Sequence, residues 1–269
     1  MTTNSPVRII SARRGAPIDS VSVSVSVSVL GKIAPLRTAC STCSMRELCL
    51  PCCGMTRSER DVADQMVFNR PRLRRGEILY RSGDRFTSLY AVRKGFFKCT
   101  ALLDNGRDQV TAYAMTGEVL GMDGIGTERH TCTTVALEDS EVCAIPFAGL
   151  QALAHEIPSL QHNVRSMMSR EILREQGVML LLGSMNADER LAMFLLNLSR
   201  RFAAHGCSPS EFNLRMTREE IGSYLGLKLE TISRTLTKFQ DKGLIVVQQK
   251  VIRILDGAGL ERVMGRELN

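Results

Sequence analysis

Three regimes of apolar spacing divide the chain. From about residue 62 to 150, short β-rich runs are punctuated by Gly76, Gly83, Gly95, Gly106, Gly117, Gly121, Gly124 and Gly126, about ten residues apart. This predicts antiparallel strands closing into a small jelly roll or barrel. Within it, Asp104-Asn-Gly-Arg107 reads as a hairpin turn, because Asn105-Gly106 supplies the positive φ such a turn needs. Beyond Pro158 the spacing becomes helical: Val164, Met168, Ile172, Glu175, Met179 and Leu182 recur at intervals of four and three, on one stripe of a long helix. That stripe can pack into the chain's own core. A long helix between two domains has little of its own chain to lie against, however, so pairing with a second copy as a coiled coil is the expectation. Glu175 interrupts the otherwise apolar seam.

From about Asn186 the order reads helix, helix, helix, hairpin. Asp188 to Arg201 is amphipathic, and Thr217-Arg-Glu-Glu220 is a capping box opening a second helix. Gly226 marks a turn, and a third helix runs from about Leu229 to Asp241, where Gly243 can close it. Two β-rich runs, Leu244 to Val247 and Val251 to Leu255, flank a polar turn at Gln248-Gln-Lys250. A helix-turn-helix followed by a β wing is a DNA-binding arrangement. The N-terminal region breaks all three patterns: Val21 to Val29 alternates Val and Ser with the period of a half-buried strand. It reads as a low-complexity tail outside the fold, an added edge strand being the alternative.

Composition narrows the class. At 269 residues, 44% apolar and 23% charged, the chain suits two modest soluble domains plus a connecting element, and without Trp its cores rest on Leu, Ile, Val and Met. A formal charge of +7 favours a polyanionic partner, nucleic acid being the commonest. The first thirty residues lack the apolar core of a signal peptide, and no run of about 18 apolar residues can span a membrane, so a cytoplasmic protein is expected.

In a reducing compartment, clustered thiols bind metal more often than they pair. Cys40, Cys43 and Cys49 stand in a C-x2-C-x5-C cluster, and Cys143 lies almost a hundred residues later. Three close thiols and one distant one can wrap a metal centre and tie the N-terminal segment to a folded domain. Cys52 and Cys53 offer an alternative, a local four-thiolate zinc site. Cys99, Cys132 and Cys207 read as small buried apolar residues. The sequence contains no P-loop, hydrolase elbow or C-x3-C-x2-C spacing, so no enzyme activity is expected.

On the third C-terminal helix, Ile232, Leu236 and Phe239 repeat at four and three and face the core, leaving Glu230, Ser233, Arg234 and Thr237 opposite. In a major groove, Arg donates a bidentate pair to guanine, Glu accepts from cytosine, and Ser adapts to a base or a phosphate. The plain alternative is a surface ion pair between Glu230 and Arg234, which stand at i and i+4.

The run Met216-Thr-Arg-Glu-Glu-Ile-Gly-Ser-Tyr-Leu-Gly-Leu-Lys-Leu-Glu-Thr-Ile-Ser-Arg234 resembles the recognition motif of the CRP/FNR regulators, and its Glu-Thr-Ile-Ser-Arg ending resembles the FNR branch. The resemblance extends from about Cys40 to Ile254 and includes Tyr90-Ala-Val-Arg93, Gly117-Glu-Val-Leu-Gly121, Val142-Cys-Ala-Ile-Pro-Phe147 and Asn186-Ala-Asp-Glu-Arg190. It implies that Glu230, Ser233 and Arg234 read a TTGAT-type half-site and that a homodimer binds two halves as a palindrome. Leu229 stands where catabolite-activator relatives carry another base-reading Arg, so their half-site is not expected here. At Lys228 many relatives have a capping Thr.

The resemblance further implies that Cys40, Cys43, Cys49 and Cys143 bind an oxygen-labile [4Fe-4S] cluster, thiolates being soft anionic donors, one for each iron. It implies contact with RNA polymerase, with the hairpin near Asn105 to Asp108 as the candidate surface. His130-Thr131 replaces the Arg-Ser pair that grips a cyclic phosphate in relatives, so no cyclic nucleotide is expected, although Arg129 stands next door.

The expected architecture is α+β. Residues 1–35 form a low-complexity tail, 36–60 a cluster-binding segment and 61–157 a β-roll resembling cyclic-nucleotide-binding domains. Residues 158–185 form a dimerisation helix with Val164, Met168, Ile172, Glu175 and Met179 in its interface, and 186–269 a winged helix-turn-helix. The expected function is an oxygen-responsive transcription regulator of low-oxygen metabolism; a zinc-stabilised regulator and an iron-sulfur redox protein are the rivals.

Overall fold

The computed structural model describes residues 55–64, 69–103 and 106–265. The Val-Ser tract, Cys40, Cys43, Cys49, Cys52, Cys53, Asp104 and Asn105 lie outside these residues.

After a short helix α1 (Arg57–Asp64), the β-roll contains β1 (Arg72–Leu73), β2 (Ile78–Tyr80), β3 (Ser88–Lys94), β4 (Phe96–Leu102), β5 (Asp108–Met115), β6 (Val119–Leu120), β7 (Thr133–Ala136) and β8 (Ser140–Pro146). They form two antiparallel four-stranded sheets, in the orders β1-β8-β3-β6 and β2-β7-β4-β5. One core joins them: Leu73, Val92, Leu120 and Val142 from the first sheet meet Tyr80, Phe97, Ala114 and Ala136 from the second. Because neighbouring strand residues point to opposite faces, β8 sends Val142 into this core and Cys143 to the other side. Gly106 takes the positive φ (76°) expected of the β4–β5 hairpin, with its N–H donating to the Leu103 carbonyl at 2.8 Å.

The expected strand-only region ends in a helix instead, α2 (Phe147–Glu156), which follows the extended Pro146. Helix α3 (Pro158–Ser184) begins with proline in its first turn, where the missing N–H leaves no intrahelical bond unmade. Its inner face buries Leu160, Asn163, Met167 and Leu181; Leu160 and Met167 pack with Leu150 and Ala154 of α2 and with Cys143.

The C-terminal region contains α4 (Ala187–Ala204), β9 (Glu211–Asn213), α5 (Arg218–Leu225), α6 (Leu229–Asp241), β10 (Ile245–Gln248), β11 (Val251–Ile254) and α7 (Gly257–Val263). The expected two-stranded wing is a three-stranded sheet, because β9 pairs with β11 through Phe212 opposite Ile252. Both expected capping features of α5 are present: Thr217 and Glu220 form the box, and Gly226 closes the helix in the left-handed region at φ 63°. Gly222 is required for a different reason, since a Cβ there would stand 2.5 Å from the Leu227 carbonyl oxygen in the turn to α6.

Candidate DNA-reading surface and thiol ligand

Helix α6 is anchored by Ile232, Leu236 and Phe239, at 0%, 3% and 0% exposure, so its polar face is fixed outward. Burying side chains of this size contributes roughly 2 kcal/mol each. Glu230, Arg234 and Thr237 are exposed and Ser233 is half-buried. Among the described residues no ion pair joins Glu230 to Arg234; Arg218 at the start of α5 instead donates to Ser233 Oγ at 3.2 Å. Ser233 is thus held by a cation on the neighbouring helix, a contact 15 residues apart that the helical wheel of α6 does not contain. The α6 N-terminus has no side-chain cap at Lys228, as expected, which leaves its backbone N–H groups available to an anion. Exposed Lys242 and Lys250 add positive charge at the far end of α6 and at the wing tip.

The Asn186-Ala-Asp-Glu-Arg190 motif has a structural reason for each polar residue. Asn186 and Glu189 form a capping box on α4. Asp188 pairs with Lys238 of α6 and accepts from Thr235 at 3.4 Å. Arg190 donates to the carbonyls of Leu182, Met185 and Leu225 at 2.8–2.9 Å, tying the ends of α3 and α5 to α4. Those carbonyls are the ones a helix C-terminus leaves unpaired.

A second set of contacts joins the β-roll to the helix-turn-helix. Glu118, between β5 and β6, accepts from Arg201 of α4 at 2.6 and 2.9 Å and lies 3.6 Å from Arg174 of α3. Arg201 also donates to the Tyr113 carbonyl at 2.8 Å. Burial works against the Arg174 charge, but Glu171 and Glu118 outweigh it and hold its pKa above the ordinary value. Lys98 of β4 meets Glu220 of α5 at 2.6 Å, and Ser223 Oγ accepts from Val110 N–H at 2.9 Å. Burial raises the Glu220 pKa, yet hydrogen bonds from Lys98 and Thr217 bring it below the usual carboxylate value. Tyr113 stacks edge-on against Tyr224 with centroids 5.2 Å apart.

Of the four expected cluster ligands only Cys143 lies among the described residues. It is 7% exposed, opposite Ala91 across β3 and β8, in an apolar cluster with Phe86, Ile145 and Met167. Met55, 4% exposed, packs in the same cluster. Cys207, expected to be buried, is exposed in the turn after α4, since the preceding chain leaves the helix at His205 and Gly206.

On α3, Ile172, Leu173, Met179 and Leu180 are 55–68% exposed and Glu175 is exposed among them, whereas Met168 is half-buried and Val164 packs partly against the chain's own β-roll cluster. The inner stripe through Asn163 and Arg174 escaped the sequence reading because polar residues interrupt it. In the β-roll, His130 is 3% exposed, stacks on Tyr80 at 3.7 Å and approaches Asp123 Oδ1 at 3.3 Å. Arg129 donates to the Gly83 carbonyl at 2.7 Å on the exposed surface.

Comparison with known proteins gives this arrangement a family. Residues 70–156 match the cyclic nucleotide-binding domain and 189–263 the Crp-like helix-turn-helix domain. The chain is 42% identical over 235 residues to the transcriptional regulatory protein btr of Bordetella pertussis, covering 87% of this chain and 97% of that protein. It is 43% identical over 229 residues to the transcriptional activator protein anr of Pseudomonas aeruginosa, covering 85% and 93%. To the fumarate and nitrate reduction regulatory protein of Escherichia coli K12 it is 41% identical over 230 residues, covering 86% and 92%. Among solved structures, FixK2 from Bradyrhizobium japonicum matches with a TM-score of 0.68 at 27% identity, covering 74% of this chain and 98% of that one. The winged helix-turn-helix, the two domain matches and these relatives together place the chain in the CRP/FNR family, on its FNR branch, as a DNA-binding transcription regulator and not an enzyme.

Proposed function

We propose that the chain is an oxygen-responsive regulator of low-oxygen metabolism in which Cys40, Cys43, Cys49 and Cys143 hold a [4Fe-4S] cluster. The observation that carries this reading is the burial of Cys143 beside Met55. Cys49 precedes Met55 by six residues in the sequence. The chain after the cysteine segment is thus seated against the strand that presents the distant thiol, which suits a shared four-thiolate site. When bound, the cluster supplies an oxygen-labile centre that the four thiolates anchor. The chain's own residues convert that anchorage into a rigid connection between the N-terminal segment, β8 and the inner face of α3.

From there the coupling passes along α3. Its exposed Ile172, Leu173, Met179 and Leu180 form a patch of the kind soluble monomers cover, and a second copy of the same helix fits it. Glu175 within the patch opposes pairing by like-charge repulsion, so association depends on how the anchored chain holds the helix. Arg190 and the Glu118–Arg201 pair then fix the helix-turn-helix relative to α3 and the β-roll. In a dimer, two α6 helices present Glu230, Ser233 and Arg234 to the halves of a TTGAT-type palindrome. Exposed Leu102 and Leu103, at 68% and 41% beside the β4–β5 turn, suit a protein-facing surface for RNA polymerase. The buried His130–Tyr80 stack occupies the region where relatives grip a cyclic phosphate, which favours control without a nucleotide. Among the described residues no helix is long and apolar enough to cross a membrane. Acting on DNA, the regulator works in the cytoplasm.

Anaerobic purification tests the cofactor. The expected product is brown, with about four iron and four sulfide per chain, and bleaches in air. Colourless protein holding one zinc refutes the proposal and favours a structural metal site at the same cysteines.

A further inference from the structure

Two thiols expected to be inert apolar residues meet polar partners inside the β-roll. Cys99 lies on β4 directly opposite Thr134 of β7, and Cys132 precedes Thr134 by two residues. Cys132 stands just ahead of β7, which begins at Thr133. Both thiols approach the Thr134 hydroxyl, Cys99 Sγ at 3.3 Å and Cys132 Sγ at 4.0 Å. Both Sγ atoms thus flank the same hydroxyl oxygen. Cys132 Sγ reaches Asp123 Oδ2 at 3.4 Å, and that oxygen accepts from the N–H groups of Thr131 and Cys132 at 2.8 and 3.2 Å. The thiols are 5% and 9% exposed, but Cys132 borders the exposed run Thr127, Glu128 and Arg129 and adjoins exposed Thr131. A small oxidant therefore needs only a local opening at the start of β7.

The geometry points to a redox modification site, separate from the cluster ligands, at which a hydroperoxide closes Cys99 and Cys132 into a reversible disulfide. The Thr134 hydroxyl, 3.3 Å from Cys99 Sγ, can donate to a thiolate there, and hydrogen bonding from Cys132, against the opposing effect of burial, holds the Cys99 thiol below its usual range, which suits Cys99 as the attacking sulfur. Cys132 is pushed up by its bond to Cys99 and by burial, and keeps its proton. The Cys99 thiolate attacks the terminal oxygen of the hydroperoxide. The O–O bond breaks, a sulfenic acid forms, and the alkoxide leaves as an alcohol after taking up a proton. Cys132 then attacks the sulfenyl sulfur while its proton passes, by way of Asp123, to the departing hydroxide. The S–O bond breaks, the S–S bond forms and water leaves. In sum, two thiols and one hydroperoxide give one disulfide, one alcohol and one water, with two electrons passing from the sulfurs to the peroxide oxygens.

Closure draws β4 and the residue ahead of β7 together past the Thr134 hydroxyl, and an S–S bond formed under that constraint is one that thiols reduce readily. Lys98, the residue before Cys99, holds Glu220 of the helix-turn-helix, so a displacement of β4 reaches the DNA-binding region directly.

The test uses the full-length protein under argon, treated with the small alkyl peroxide tert-butyl hydroperoxide, quenched in acid, alkylated in denaturant and digested without reduction. The expected result is a peptide pair linked through Cys99 and Cys132, abolished by dithiothreitol, retained in Cys143→Ser and lost in Cys99→Ser. In Cys132→Ser, Cys99 should stall as a sulfenic acid that dimedone captures. Full alkylation of both cysteines after peroxide, or separate overoxidation of each without a cross-link, overturns the proposal.

Discussion

Removing the Glu118 carboxylate tests whether the β-roll and the DNA-binding region form one mechanical body. Glu118 accepts two hydrogen bonds from Arg201 and one from the Met115 N–H at 3.0 Å, and it also faces Arg174. The side chains of Glu118, Arg201 and Arg174 are 23%, 18% and 32% exposed. An exposed ion pair contributes about 0–1 kcal/mol, whereas removing one partner of a fully buried pair costs about 3–5 kcal/mol. The partial burial here places Glu118→Ala between the two, at about 2–3 kcal/mol. For a unit of this size that corresponds to a Tm lower by roughly 4–12 °C in a thermal scan. A double-mutant cycle with Arg201→Ala should return a coupling of about 1–2 kcal/mol. A Tm within about 1 °C of the parent, or effects that add to within about 0.5 kcal/mol, would refute the network.

Three further outcomes follow from the geometry. The folded Glu220 pKa lies below its ordinary value of 4.5, so the Lys98–Glu220 contribution is complete above that pH and is lost as pH falls through the depressed value. The Tm gap between parent and Lys98→Met should therefore be full near neutrality and shrink below about pH 4.5; a gap that does not change with pH contradicts this. Arg234→Ala should lose about 1–3 kcal/mol of affinity, roughly five- to 150-fold, and relax preference at one base pair, while Lys250→Ala weakens all duplexes alike and lowers the salt slope by about one. Competition binding at matched salt separates the two, and equal loss on scrambled DNA for Arg234→Ala would remove it from readout. Glu175→Ala should raise the dimer fraction in air by sedimentation, and an unchanged profile counts against repulsion in the α3 seam.

Local chemistry made most of the C-terminal region legible. The Thr217–Glu220 box, Gly226 and the spacing of Ile232, Leu236 and Phe239 each act within a few residues, so the helix-turn-helix follows from sequence alone. The strand β9 did not, because it is three residues long with only Phe212 buried and forms through pairing with β11. α7 carries a readable local signal, Asp256, which caps it by accepting from Gly259 N–H at 2.7 Å. The candidate site divides the same way. Glu230, Ser233 and Arg234 stand on the expected face, but Arg218 beside Ser233 and Lys98 beside Glu220 are brought there by contacts 15 and 122 residues apart. The thiols Cys99 and Cys132 were read as apolar because nothing near either one in sequence announces Asp123 or Thr134.

DNA binding measured with and without oxygen tests the central claim most directly. Anaerobically prepared parent protein and Cys143→Ser are titrated onto a duplex carrying a TTGAT palindrome and onto a scrambled duplex at the same salt, before and after exposure to air. The parent should bind the palindrome selectively without oxygen and lose that selectivity in air, while Cys143→Ser should bind weakly in both. Equal selective binding by both proteins, unaffected by air, would contradict control of DNA recognition through the cysteine centre.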